Sequence, residues 1–261
     1  SAHFGPGGKK RGETQDADGD GRPDVTLVYD DAGRKLREEV DKNGDGTPDD
    51  VTTYANDTPL KREADSNGDG RIDTIVHFEN GRPAREERDE NADGRFERVV
   101  HFDANGAPVR DELDADGDGK AESVASYRGG VKERIEEDSN RDGRRDLVTT
   151  FAGGERVRSE ADANGDGRTD TTIEFSNGKK ASQVEDRNAD GKPDARYAFD
   201  ADEQVTSEEL DADFDGTFET RASYRAGQIE KRATSGGPKS GPGRTEIYGE
   251  GRLVRVEIDD T

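Results

Sequence analysis

The chain has 261 residues, of which 39% are charged and only 26% hydrophobic, and its formal net charge is −23. That acidity argues against partnership with nucleic acid or an anionic membrane surface, since both require a basic face. The sequence has no Cys, Met or Trp, so disulfides, thiolate metal sites and Cys nucleophiles are excluded, and no apolar run approaches the roughly 18 residues needed to insert in a membrane.

Taken alone, so polar a composition belongs to a disordered chain, because too little apolar surface offsets the entropy of ordering. A fixed-period repeat argues otherwise. Residues 1–13 are rich in Gly and basic residues, and are expected to form a mobile N-terminal tail. The chain starts at Ser1 with no visible signal-peptide pattern, which fits a processed or trimmed chain. Residues 14–261 read as a single repeat array. Acidic loops begin at Asp16, Asp41, Asp65, Asp89, Asp114, Asp138, Asp162, Asp186 and Asp211, one every 24 or 25 residues. Each follows D-x-[DN]-x-D-G-x-x-[DE], with Asp at position 5, Gly at position 6 and an acid at position 9 in all nine.

After each loop come β-forming residues and then an aromatic, as in Thr74-Ile75-Val76-His77-Phe78. The aromatics are Tyr29, Tyr54, Phe78, Phe102, Tyr127, Phe151, Phe175, Phe199 and Tyr224. A turn follows. Asn80-Gly81, Asn105-Gly106 and Asn177-Gly178 read as hairpin dipeptides with positive φ at both residues. A second polar strand, such as 34–40, then leads into the next loop. No segment has a helical period. The expected fold is all-β: about ten tandem hairpins in an elongated, twisted antiparallel meander or solenoid. Twenty strands would span roughly 95 Å, with the loops along one edge. The alternative is a β-propeller, two units making one four-stranded blade.

Pairing across Asn80-Gly81 is expected to set Phe78 opposite Pro83 and Val76 opposite Arg85. The aromatic would then share a face with a recurrent basic position, occupied by Arg37, Lys61, Arg85, Arg110, Arg134, Arg158, Lys231 and Arg255. Glu recurs two residues later, as in Glu39, Glu63, Glu87, Glu112, Glu136 and Glu160. One interpretation is a ladder in which Arg stems cover rings and guanidinium groups pair with Glu. The other is that these Glu residues are extra metal ligands. The opposite face would carry Val51, Ile75, Val99, Val124 and Val148, with Leu36, Leu60 and Val109 across from them. The last unit, about 233–261, has no carboxylate over 234–243 and reads as a metal-free cap. Asp259-Asp260 would alternatively begin an eleventh loop.

The loop chemistry points to Ca²⁺, a hard cation that takes six to eight oxygens. Positions 1, 3, 5 and 9 supply side-chain oxygens, position 7 a backbone carbonyl, and Gly at position 6 the sharp turn. Packed carboxylates without a cation would repel one another, and nine calcium ions carrying +18 would bring the net charge from −23 to −5. Mg²⁺ fits less well, because it demands a near-ideal octahedron. The loop resembles the first half of an EF-hand loop, without the Glu at position 12 and with strands as flanks. It resembles more closely the D-x-D-x-D-G-x-x-D loops of integrin α-subunit repeats. That resemblance implies a first site from Asp16, Asp18, Asp20, the Arg22 carbonyl and Asp24. The others follow suit: Asp41, Asn43, Asp45, Thr47 and Asp49; Asp65, Asn67, Asp69, Arg71 and Asp73; Asp89, Asn91, Asp93, Arg95 and Glu97. Next are Asp114, Asp116, Asp118, Lys120 and Glu122; Asp138, Asn140, Asp142, Arg144 and Asp146; Asp162, Asn164, Asp166, Arg168 and Asp170. The last two are Asp186, Asn188, Asp190, Lys192 and Asp194, and Asp211, Asp213, Asp215, Thr217 and Glu219. The hairpins also resemble YD repeats and MORN-like repeats, through Tyr29-Asp30-Asp31-Ala32-Gly33-Arg34 and Phe102-Asp103-Ala104-Asn105-Gly106; the toxin-shell role of YD repeats does not carry over, because they lack the acidic loop.

No catalytic constellation is visible. His77, His101 and Ser126 recur at one strand position, but equivalent strands lie about 9.5 Å apart, too far for a direct relay. The expectation is therefore a non-enzymatic, calcium-stabilised rod module, structural or adhesive, at an extracellular bacterial surface. Arg outnumbers Lys 28 to 12, which fits a GC-rich bacterial source. The alternatives are a calcium-dependent module for a surface protein or glycan, and a calcium reservoir or sensor.

Overall fold

The structure is a computed structural model and describes residues 1–236 and 242–258. Asp259 and Asp260, and residues 237–241 of the carboxylate-free segment, lie outside the described residues. The chain is all-β, with 22 antiparallel strands. It divides into two compact units, Ser1–Val131 and Lys132–Thr261.

In the first unit the strands are β1 (Ala2–Phe4), β2 (Lys10–Gln15), β3 (Val25–Tyr29), β4 (Lys35–Val40), β5 (Asp50–Ala55), β6 (Thr58–Ala64), β7 (Thr74–Glu79), β8 (Arg82–Arg88), β9 (Arg98–Phe102), β10 (Pro108–Leu113) and β11 (Ser123–Arg128). Each pairs with the next, from β1–β2 to β10–β11. The second unit continues with β12 (Val131–Glu137), β13 (Leu147–Ala152), β14 (Glu155–Ala161), β15 (Thr171–Ser176), β16 (Lys179–Glu185), β17 (Ala195–Phe199), β18 (Val205–Leu210), β19 (Thr220–Arg225), β20 (Gln228–Thr234), β21 (Arg244–Gly249) and β22 (Arg252–Ile258). Its pairing is the same, from β12–β13 to β21–β22. Among the described residues no pairing closes the strands into a ring, so the sheet is open and the propeller is set aside. Within each unit, hairpin turns occupy one end and acidic loops the other.

Residues 1–13, read from the sequence as a tail, instead carry β1, a 3-10 turn at Pro6–Gly8, and most of β2. Phe4 pairs with Lys10 just as Tyr29 pairs with Lys35. The segment is thus a further hairpin of the same kind, preceding the first acidic loop.

Two turn types occur. Asn80-Gly81 has φ of 52° and 76°, and Asn177-Gly178 has 52° and 74°, the left-handed pair expected of a tight hairpin. Asn105-Gly106 differs: only Gly106 has positive φ, at 84°. There the Asp103 carboxylate accepts from Asn105 N at 2.8 Å and Ala107 N at 3.0 Å, which builds a longer Asx-type turn. The same turn in the first hairpin uses Asp30.

The register holds a second correction. Phe78 does face Pro83, but Val76 faces Glu86 and Arg85 faces His77. Ala84 is a bulge residue without a partner across the strand. The bulge recurs at Leu36, Leu60 and Val109, which are accordingly exposed rather than packed across from valines. An extra residue inverts the remainder of a strand, so the aromatic and the recurrent basic position lie on opposite faces. The rings are covered instead by cations from the start of the preceding second strand: Lys10 over Tyr29, Lys35 over Tyr54, Arg156 over Phe175 and Lys180 over Phe199. The basic residues pair with Glu two positions on, as in Arg37–Glu39, Arg134–Glu136 and Arg158–Glu160. Glu87 receives both Arg85 and His77. The Arg–Glu pairing of the ladder is therefore present, but the paired arginines do not cover the rings.

The core is thin. The buried hydrophobic residues among those described are Ala64, Val76, Val100, Val124, Ala125, Ala195 and Ala222, none larger than Val. Among the described residues ten acids are buried, all at positions 1 or 9 of the loops, and the largest fully buried side chain is that of Asp194.

Candidate metal centres in the acidic loops

Each loop is a set of Asx turns folded around its own carboxylates. In loop 2, Asp41 accepts from Gly44 N and Gly46 N, both at 2.8 Å. Asn43 Oδ1 accepts from Asp45 N at 2.8 Å, and Asp45 Oδ1 from Thr47 N at 2.7 Å. Asp49 reaches back across the loop to accept from Lys42 N at 2.6 Å and Asn43 N at 3.1 Å. The pattern repeats, for example at Asp65, Asn67, Asp69 and Asp73. These bonds fold the acidic side chains back over their own loop. In loop 2 they occupy only one oxygen of Asp45, leaving the other as a lone-pair ligand that a cation would use.

Gly at position 6 has φ between 86° and 94° in all nine loops, from Gly21 to Gly216, a conformation strained for any residue with a Cβ. Sequence reasoning missed a second left-handed position. Position 4 also has positive φ throughout, at Gly19, Gly44, Gly68, Ala92, Gly117, Arg141, Gly165, Ala189 and Phe214. Five of these nine are Gly, a partial signal obscured by the four substitutions.

One oxygen each from Asp114, Asp116, Asp118 and Glu122 lies within 4.8 Å of the others, and Asp211, Asp213, Asp215 and Glu219 form an equivalent group. Smaller groups are Asp16, Asp18 and Asp24, and Asp89, Asp93 and Glu97. Ligands on opposite sides of one Ca²⁺ stand about 4.6–5.2 Å apart, twice the metal–oxygen distance, so these groups can share an ion. In loops 2, 3, 6, 7 and 8, where position 3 is Asn, the acids at positions 1, 5 and 9 do not come together as a group of three within that distance, although the local hydrogen bonds at positions 1 and 5 are alike.

Two features make the donor sets fit a hard cation. Backbone N–H groups of the same loop, not Lys or Arg side chains, satisfy the buried acids, as at Asp194, which accepts from Arg187 N at 2.7 Å and Asn188 N at 3.0 Å. Buried negative charge without a counter-charge is costly. In addition, Glu219 Oε1 is buried and, among the described residues, is the side-chain oxygen or nitrogen left without a hydrogen-bond partner; its other oxygen accepts from Ala212 N at 3.0 Å. Two position-9 carboxylates, Asp73 and Asp146, are also shifted toward the ionised form. Burial pushes Asp73 up, but bonds from the Thr74 and Ser66 hydroxyls and the Ser66 and Asn67 amides outweigh it and leave the pKa below the ordinary carboxylate value. Asp146 is likewise lowered, with burial outweighed by the Ser139 hydroxyl and the amides of Ser139 and Asn140.

No family model and no curated protein matches the sequence. Among solved structures, the chain is similar to part of accessory secretory protein 1, 2 and 3 of Streptococcus pneumoniae, at 16% identity over 39% of this chain and 18% of that chain, TM-score 0.28. It is similar to part of the Tc holotoxin pore of Photorhabdus luminescens, at 13% identity over 96% of this chain and 15% of that one, TM-score 0.27. A porin-like protein from Bacteroides uniformis matches at 10% identity over 90% of both chains, TM-score 0.21. The chain spans less than a fifth of the length of the first two. Likenesses at these scores carry no argument about function.

Proposed function

We propose that the chain is a calcium-binding, calcium-stabilised structural or adhesive module that works outside the cell. The observation that carries this is the convergence of four carboxylates in loops 5 and 9, with a buried, unpartnered Glu219 oxygen in the second. The thin core supports it, since no buried hydrophobic side chain exceeds Val and stability must come from another source. Extracellular calcium modules bind at about 10⁻⁴–10⁻³ M. At ~10⁻⁴ M and one to two millimolar free ion, each site stabilises the fold by about 1.4–1.8 kcal/mol, and nine contribute on the order of 13–16 kcal/mol. That is comparable with the whole stability of an ordinary domain. Cytosolic calcium would leave sites this weak largely empty, which is why the reading is extracellular. It is also non-enzymatic: the clustered carboxylates are read as ligands for a cation, and none is placed as a proton donor in a shaped cleft.

Equilibrium dialysis against millimolar calcium, followed by elemental analysis, tests the reading. The expected result is close to nine ions per chain, with magnesium competing poorly. Retention of no calcium would sink it.

A further inference from the structure

The loops are joined to one another as well as to their strands. Within each unit, the position-1 N–H of one loop donates to the position-9 carbonyl of the loop before. Asp41 donates to Asp24 at 2.9 Å, Asp65 to Asp49 at 2.8 Å, and Asp89 to Asp73 at 2.8 Å. In the second unit Asp162 donates to Asp146, Asp186 to Asp170 and Asp211 to Asp194, each within 2.8 Å. The last acid of one site and the first acid of the next are therefore held by a single peptide hydrogen bond.

A side chain adds a second link. Arg22, at position 7 of loop 1, reaches loop 2 and donates from Nη1 to the Gly44 carbonyl at 3.0 Å. Arg144 does the same to Gly165 at 3.1 Å. Arg95 reaches Gly117 at 3.5 Å, so closely that a Cβ on Gly117 would lie 2.8 Å from its Nη1. The backbone of the same arginine is fixed in its own loop, where Arg22 N donates to Asp20 Oδ1 at 2.7 Å. Position 7 thus belongs to one site through its main chain and to the next through its side chain.

We infer that neighbouring loops bind cations cooperatively, through these position-9 to position-1 hydrogen bonds and position-7 arginines; this rests on the calcium reading above. An ion in one loop orders its position-7 and position-9 residues, and both then hold the adjacent loop in its ligating shape. Two effects compete. Ordering one residue in advance is worth roughly a five- to thirtyfold change in an equilibrium constant. Repulsion between two divalent ions about 9.6 Å apart, two strand spacings, opposes it by about two- to threefold where the field runs through salt-screened water of dielectric about 80, as it does around these exposed loop tips. Positive coupling wins.

The test is a calcium titration of the full chain followed by NMR, reading the amides of Gly21, Gly70 and Gly167 in loops 1, 3 and 7. Asp45→Asn with Asp49→Asn disables loop 2 alone. Coupling predicts that the midpoints at Gly21 and Gly70 rise at least twofold while Gly167 keeps its wild-type midpoint. Unchanged or lowered midpoints at Gly21 and Gly70 would overturn it, since relief of repulsion alone lowers them. Arg22→Gln leaves every carboxylate in place and should raise the Gly46 midpoint about twofold; an unmoved Gly46 removes the arginine link. If no glycine in the wild-type chain responds to calcium, the calcium reading itself fails, an outcome distinct from independent but responsive loops.

Discussion

Loops 2 and 9 share Asp at positions 1 and 5 and Gly at position 6, and in both the position-1 acid accepts from the position-6 amide and the position-5 acid from the position-7 amide. They differ at position 9, Asp49 against Glu219, and at position 3, which is Asn43 in one and Asp213 in the other. In loop 2 the Asn43 amide donates to Asp49 Oδ1 at 3.1 Å; Asn91 and Asn164 do the same to Glu97 and Asp170, at 3.0 and 2.9 Å. The amide thus does part of a cation's work, bridging the last acid to the rest of the loop. Loop 9 has no such bridge. Asp213 brings another negative charge to Asp211, Asp215 and Glu219, and Glu219 Oε1 is buried without a partner. Loops 1 and 5 also have an acid at position 3, Asp18 and Asp116. The difference teaches that loops 2, 4 and 7, in which the Asn amide reaches the last acid, partly hold their own shape, whereas on the calcium reading loop 9 would need an ion to do so.

The sharpest break of this comparison is at the buried first ligand. Asp211→Ala removes acceptors for Gly216 N at 2.7 Å and Asp215 N at 3.2 Å. Gly216 and Asp215 are themselves exposed, so water partly replaces the lost acceptor; at about 0.5–1.5 kcal/mol for each lost hydrogen bond, denaturant melts should show a loss of about 1–3 kcal/mol and one fewer bound ion. Next comes Asn43→Asp, which converts loop 2 toward the loop 9 type. It should tighten calcium at Gly46 by about tenfold, since one more full charge joins the ligand set, while lowering stability in chelator. A tighter site with unchanged metal-free stability would contradict the bridging role of the amide.

Smaller effects sharpen the picture. Phe214 and Arg141 occupy position 4 with φ of 61° and 60°. Replacing either with Gly should stabilise the chain by about 0.5–1 kcal/mol in urea melts, the strain of a side chain in left-handed backbone. Acid gives the last test. Asp73 and Asp146 have lowered pKa values, so their contribution is complete above the unfolded value near 3.8. It is lost as pH falls through the lower folded value. In chelator, Asp73→Asn should therefore flatten the stability curve below about pH 4 and leave its slope near neutrality unchanged.

Much of this was legible in the sequence because it repeats. The loop pattern, the aromatics and the strand-turn-strand order were each written nine times, and the all-β hairpin meander followed from them. What was not legible depended on one residue. The bulges at Leu36, Leu60, Ala84 and Val109 have no residue signature of their own, and each moves the Arg–Glu pair to the face opposite the ring. Asn105-Gly106 looks like a two-residue turn, but Asp103 two positions earlier makes it a longer one. The hairpin at 1–13 lacks a preceding acidic loop, so its Phe4 and Lys10 were not seen as the ring and cation they are. At the candidate sites, the repeated acidic positions could be read, whereas the burial of positions 1 and 9 and the loop-to-loop hydrogen bonds needed the strand ends in place.

Thermal unfolding followed by far-UV circular dichroism, in two millimolar calcium and again in excess chelator, bears most directly on the central claim. Removing about 13–16 kcal/mol of linked binding energy should leave no cooperative melt in chelator, and returning calcium should restore it. Superimposable melts in the two conditions would mean that the thin valine core and the strand ladders hold the chain without an ion.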